Sequence, residues 1–184
     1  MSTQTQQRIQ PGTWQVDAGH SSVEFQVKHM GIATVKGFFG EFAGTLEVAE
    51  GPAGTRAWGT IRADTLNTRQ NDRDTHLRSS DFLDTEQFPE ITFASKSIEP
   101  VDDENLRVTG DLTIRGVTQE VELAVEVQGA DTDPWGNERV ALEVTGSLSR
   151  EAYGMTFNQA LGSGNMLVGD KVKLLASISA GKEG

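Results

Sequence analysis

Cysteine is absent, proline occurs 5 times in 184 residues, and 16 basic side chains stand against 27 acidic ones. Each shortage closes off a class of function. Without cysteine the chain has no disulfide, no thiolate nucleophile and no thiolate metal ligand, and its redox compartment is left open. A formal net charge of −11 speaks against non-specific nucleic-acid binding, which needs clustered cations to displace counterions. It speaks equally against adhesion to anionic headgroups through overall charge. No apolar run is long enough to cross a bilayer as a helix, so stable membrane insertion is not expected. The opening segment MSTQTQQRIQPG holds no apolar stretch of the length an export signal needs. The expectation is a soluble, cytoplasmic, single-domain protein: a flexible segment over 1–11, a domain over 12–180 and a tail over 181–184.

Chemical signatures are missing as well. There is no Gly-x-Ser-x-Gly elbow, no Walker or Rossmann phosphate loop and no His-x-His. Gly162-Ser163-Gly164 lacks the strand-to-helix context of an elbow. The carboxylate pairs Asp72/Asp74 and Asp102/Asp103 suit a helix N-terminal region and a turn. No residue is assigned a catalytic or metal-binding role.

What the chain does have is period-two alternation. Leu106, Val108, Gly110, Leu112 and Ile114 fall on one face, with Arg107, Thr109, Asp111, Thr113 and Arg115 on the other. The same pattern runs through Val121–Gln128, Val140–Leu148, Val172–Ser179, Val23–Lys28 and Phe42–Val48, with Leu175 out of step. One apolar and one wet face per strand is the antiparallel signature. Turn signals at 50–54, 102–105, 115–116 and 131–137 divide the strands. The fold class expected is all-β: an antiparallel barrel of about eight strands, a size that can hold one small ligand. Gly44, Gly110, Gly146 and Ala176 are small residues at inward positions, and they suit either tight packing or a cavity.

Two segments break the alternation. Over Asn67–Phe93, Arg69, Arg73, His76 and Arg78 mix with Asp72, Asp74, Asp81 and Asp84 and carry Leu77, Phe82, Leu83, Phe88 and Phe93. A helix over Gln70–Ser79 is expected, forming a short lid near residues 70–84. On that helix Arg69 and Arg73 would share a face, pairing with the aspartates or meeting an anionic headgroup. The second segment, Gly154–Gly169, is rich in Gly and Asn yet holds Met155, Phe157, Leu161, Met166 and Leu167, which suits closure of the core better than an exposed rim. Of the three histidines, His29 at a strand end and His76 in the lid form the better functional pair.

Ordered motifs run through these elements. Trp14-Gln15-Val16-Asp17-Ala18-Gly19-His20-Ser21-Ser22-Val23-Glu24-Phe25 is followed by His29, Val35-Lys36-Gly37-Phe38-Phe39 and Phe42-x-Gly44. Then come Arg73-Asp74-x-His76-Leu77-x-Ser79-x-Asp81-Phe82, Phe88-Pro89-x-Ile91-x-Phe93, Gly110–Thr118, Arg150-x-x-Tyr153-Gly154-Met155 and Gly169-Asp170-x-Val172. From about Gly12 to about Ser179 the series resembles the YceI-like family, with Leu83 where the family's Asp-Phe-Phe motif has a second aromatic.

The resemblance implies a lipocalin-like barrel with an elongated apolar pore that binds a polyisoprenoid or similar long amphiphile, such as a prenyl quinone, prenyl phosphate or fatty amide, with no other cofactor. Dimerisation is implied in the same way, as is export for many members, from which the missing signal departs. The expected pore lining is Phe25, Val27, Phe39, Phe42, Leu77, Phe82, Phe93, Leu112, Leu148 and Phe157, with His29, Arg73 and His76 at the head end. The alternatives are a metal-assisted enzyme using His29 and His76, and an interaction module with a filled barrel.

Overall fold

The computed structural model describes residues 9–51 and 53–184; residues 1–8, most of the segment expected to be flexible, lie outside them. The chain forms one antiparallel sheet of strands β1 (Gly12–Val16), β2 (Ser22–His29), β3 (Ala33–Phe39), β4 (Phe42–Val48), β5 (Arg56–Arg62), β6 (Leu66–Asn67), β7 (Glu90–Pro100), β8 (Asn105–Ile114), β9 (Val117–Thr132), β10 (Glu138–Ser149) and β11 (Val168–Lys182). One edge of β11 pairs with β10; the other pairs with β2 at Val168–Ser177 and with β1 at Ala180–Lys182. Since β1 pairs with β4 while β2 pairs with β3, the early strands act as staves bent in two. β1–β2 bends at a 3-10 turn over Ala18–His20, β3–β4 at Gly40-Glu41 and β5–β6 at a 3-10 turn over Ala63–Thr65. The result is a closed antiparallel eight-stranded barrel, as the alternation predicts. β1, β3, β5, β6 and β7 are the strands that alternation alone does not reveal.

The first bend is tied down by charge. Asp17 accepts from the Gly19 N–H at 3.0 Å and meets His20 Nδ1 at 2.8 Å and Arg139 Nη1 at 2.8 Å. The His20 contact, then that of Arg139, holds the Asp17 carboxyl below the usual carboxylate range.

Buried side chains gather at the two ends of the barrel. Trp14, 1% exposed, packs with Ile9, Val127, Val140 and Ala180 at one end. Tyr153 and Met155 pack with Ala63, Ile91, Leu112, Ile114, Val121 and Leu148 at the other. The packed structure thus includes Ile9, and β11 continues to Lys182. Between the clusters, Phe25, Val27, Leu142, Val144, Leu174 and Ile178 are only half-buried although they sit at inward positions. They border open space as well as packed side chains.

Of the small inward residues, Gly44 and Ala176 line that space, whereas Gly110 and Gly146 do not create it. A Cβ at Gly37 would overlap the Phe25 ring, one at Gly110 would lie 2.5 Å from the Phe93 ring, and one at Gly146 would lie 2.6 Å from Leu123. Each glycine admits a large neighbour lying along the wall, so at Gly110 and Gly146 packing explains the small residue.

The lid helix, α1 (Asn71–Arg78), lies within the expected Gln70–Ser79, with those two residues as its caps. Its start corrects one expectation. Arg69 stands before the helix in the left-handed region (φ 68°), so it shares no helical face with Arg73. Asp74 reaches back to the Thr68 N–H at 2.9 Å and to the Thr68 hydroxyl, satisfying a donor before the first turn. Nor do the arginines pair with the aspartates. Arg73 donates to the Thr68 carbonyl and hydroxyl, both at 2.7 Å, and Arg78 donates to the carbonyls of Asp64 and Leu66 at 2.9 and 3.0 Å. They staple the lid to the β5–β6 bend. Among the described residues no helix is long and apolar enough to cross a membrane.

Candidate functional site

The space inside the barrel is one cavity of about 470 Å³, within the range of small-molecule sites. It runs from the underside of the lid, at Leu77, Phe82 and Leu83, to Pro11, Glu50 and Pro100 at the far end. Period-two alternation points Phe25 and Val27 of β2, Phe93 of β7, Leu112 of β8 and Leu148 of β10 inward. Phe25 lies against Phe39 with ring centroids 5.5 Å apart.

The residues expected in the pore divide cleanly. Phe25, Val27, Phe39, Phe42, Leu77, Phe82, Phe93, Leu112 and Leu148 line the cavity; His29, Arg73, His76 and Phe157 do not. His29 ends β2, exposed, opposite Ala33 and Val168. Arg73 is held by Thr68 as described. His76 and Phe157 form a three-ring cluster with Phe82 just outside the lining: His76–Phe82 5.0 Å, His76–Phe157 4.7 Å and Phe82–Phe157 5.5 Å between centroids. His76 Nε2 also meets Asp81 Oδ2 at 2.9 Å. This cluster joins α1 to the Gly154–Gly169 segment, which closes the barrel end with Tyr153 and Met155 buried and leaves Met166 46% exposed.

One lining residue escaped the expected set. Arg150 is 3% exposed and borders the cavity. Its guanidinium donates to the carbonyls of Gly169 (2.7 Å), Met155 (2.6 Å), Phe157 (3.0 Å) and Val168 (3.2 Å). Among the described residues no carboxylate lies within ion-pair distance of it. Burial lowers its proton affinity, partly offset by the charges of Glu151 and Asp170. The signal was present in the sequence: Arg150 continues the inward series Val144, Gly146, Leu148. Nearby, the Tyr153 hydroxyl is buried with no hydrogen-bond partner among the described residues, and burial pushes its pKa up to about 12.

Among the described residues the lining contains no serine, histidine, lysine or aspartate; its side-chain polar members are Thr45, Thr55, Thr60, Thr92, Glu24, Glu50, Arg150 and the Trp14 and Trp58 indoles. The metal-assisted alternative needs His29 and His76 with a carboxylate, and among the described residues no group of three or more such ligands comes together. What the arrangement can do is take up an apolar chain.

Comparison with known proteins agrees with this geometry. The model of the YceI-like domain matches residues 14–180. The chain is 41% identical over 163 residues to a UPF0312 protein of Staphylococcus aureus strain USA300, covering 88% of this chain and 92% of that one. In three dimensions it is similar to BcnA of Burkholderia cenocepacia, with a TM-score of 0.76, 22% identity and coverage of 89% of this chain and 98% of that one. It is also similar to a Campylobacter jejuni YceI protein, at TM-score 0.73, 27% identity and coverage of 85% and 90%. A polyisoprenoid-binding domain from Saccharophagus degradans superposes with a TM-score of 0.72 at 14% identity, covering 92% and 98%. With the domain model matching residues 14–180 of its 184, the chain belongs to the YceI-like family.

Proposed function

We propose that this protein is a non-enzymatic carrier that holds a long-chain amphiphile in its barrel, with a polyisoprenoid such as a prenyl quinone or prenyl phosphate as the best-fitting class. The observation that carries this is the continuous apolar cavity beneath the lid, lined by inward aromatic and aliphatic side chains that are left half-buried. A prenyl chain laid along Phe25, Phe39, Phe82, Phe93, Leu112 and Leu148 would gain about 0.8 kcal/mol for each methylene-sized unit taken from water. The similarity of the fold to a domain described as polyisoprenoid-binding supports the choice of ligand. Since His29, Arg73 and His76 stand outside the lining, the headgroup in this reading lies beside Arg150.

The test is lipid extraction and native mass spectrometry of the purified protein, followed by uptake into the delipidated barrel. A co-purified isoprenoid amphiphile, rebound by the delipidated protein, is expected. A delipidated barrel that takes up neither prenyl quinone nor prenyl phosphate would overturn the proposal.

A further inference from the structure

One part of the outer wall departs from the acidity of the rest. The chain has six lysines, and Lys28, Lys36, Lys171 and Lys173 share the outer face of β11, β2 and β3. Register places them in two successive cross-strand rows. In the first, Ser147, Lys173, Gln26 and Lys36 face one another across β10, β11, β2 and β3. In the second, Ser149 faces Lys171 and Lys28 faces Thr34. Lys171 and Lys173, with Gln26, Thr145 and Ser147, line a shallow hollow in this wall.

None of these four lysines has a carboxylate within ion-pair distance among the described residues. The other two do: Lys96 meets Asp111 at 3.4 Å, and Lys182 meets Glu138 at 3.3 Å. The bordering carboxylates are Glu24, one row beyond, and Asp170, which already accepts from the Ser149 hydroxyl and the Glu151 N–H.

Immediately beyond the basic rows, at the lid end, apolar side chains project. Met30 and Ile32 on the β2–β3 turn are 38% and 75% exposed, and Met166 on the adjoining loop is 46% exposed. The turn is held in place. The Met30 N–H donates to the Leu167 carbonyl at 2.9 Å, and Asn165 Nδ2 donates to the Met30 carbonyl at 3.1 Å. An apolar knob with a collar of lysines that, among the described residues, have no carboxylate partner has the chemistry of a surface that enters a headgroup layer and meets lipid phosphates.

We propose that this edge docks reversibly on an anionic lipid bilayer. Overall charge repels the protein from such a surface, so approach is favoured at this basic face, and docking there turns the lid end of the cavity toward the lipid. A second copy is a poorer occupant, because a two-fold contact would set these lysines against their own equivalents. The inference goes beyond the carrier function and does not depend on it.

The test is flotation of the full chain with vesicles of phosphatidylcholine alone and of phosphatidylcholine mixed with phosphatidylglycerol, at low and high salt. Binding is expected only to the anionic vesicles and is expected to weaken with salt. Each lysine-to-glutamine change at Lys171 or Lys173 should weaken it about fivefold. Ile32→Ser should weaken it further, while Lys96→Gln and Trp135→Ser, on the other side and at the other end, should leave it unchanged. All these positions are exposed, and circular dichroism checks that the variants fold. Equal binding to neutral vesicles, indifference to the Lys171 and Lys173 changes, or a dimer that these changes dissolve would overturn the proposal. Uptake of a prenyl quinone in detergent, measured on the same variants, separates failure of docking from failure of the carrier reading.

Discussion

Arg150 holds its guanidinium 5.9 Å from the centre of the Phe82 ring, and through that contact the two closures of the barrel end meet. Phe82 belongs to the lid segment, while Arg150 gathers four carbonyls of the Gly154–Gly169 side. Replacing Arg150 with methionine keeps an apolar stem but leaves those carbonyls without a donor. The expected loss is about 2–4 kcal/mol of unfolding free energy, with faster amide exchange concentrated over 155–169, read by chemical denaturation and hydrogen exchange. Lysine should rescue little, because one ammonium cannot reproduce the planar fork.

The Phe25–Gly37 contact makes a different kind of prediction. Alanine at Gly37 would overlap the Phe25 ring and should cost about 1–3 kcal/mol. Phe25→Leu removes the obstacle, so the double variant should recover much of that loss. A double-mutant cycle with no coupling between the two sites would show that the ring does not need the glycine.

Tyr153 is the chain's one tyrosine, so tyrosinate absorbance reports it alone. Its hydroxyl is buried with no hydrogen-bond partner among the described residues, and Tyr153→Phe should raise stability by about 1 kcal/mol at neutral pH. With the folded pKa near 12 against an ordinary value of 10.0, the unfolded chain releases its proton first. The contribution is therefore fully present below about pH 10 and is lost as pH rises toward the folded value. Alkaline denaturation of the wild type should show that slope, and the phenylalanine variant should lack it.

For the cavity, Val144→Phe is the informative change. Val144 sits in the middle of β10, at a half-buried inward position among the lining residues. The larger ring should occupy space now empty, leaving the circular dichroism spectrum unaltered while cutting uptake of a prenyl quinone at least tenfold, as measured by native mass spectrometry. Undiminished uptake would place the ligand elsewhere.

The local sequence determined the architecture because strand alternation and turn chemistry are short-range properties. Leu106–Ile114 and Val140–Leu148 declare their inward faces with no knowledge of their neighbours, and the lid helix is bounded by residues within a turn of its ends. Ordered motifs carried the family in the same way. Tertiary structure alone decided where space remains. Gly110 and Gly146 read as packing or, less readily, as pockets until Phe93 and Leu123 were seen to fill them. Arg73 and Arg78 read as ligand or aspartate partners until chain carbonyls from the β5–β6 bend reached them first. Net charge told against anionic surfaces, yet a sum carries no positions. Only the pairing of β11 with β2, and of β2 with β3, brings lysines far apart in sequence onto one wall beside an apolar turn.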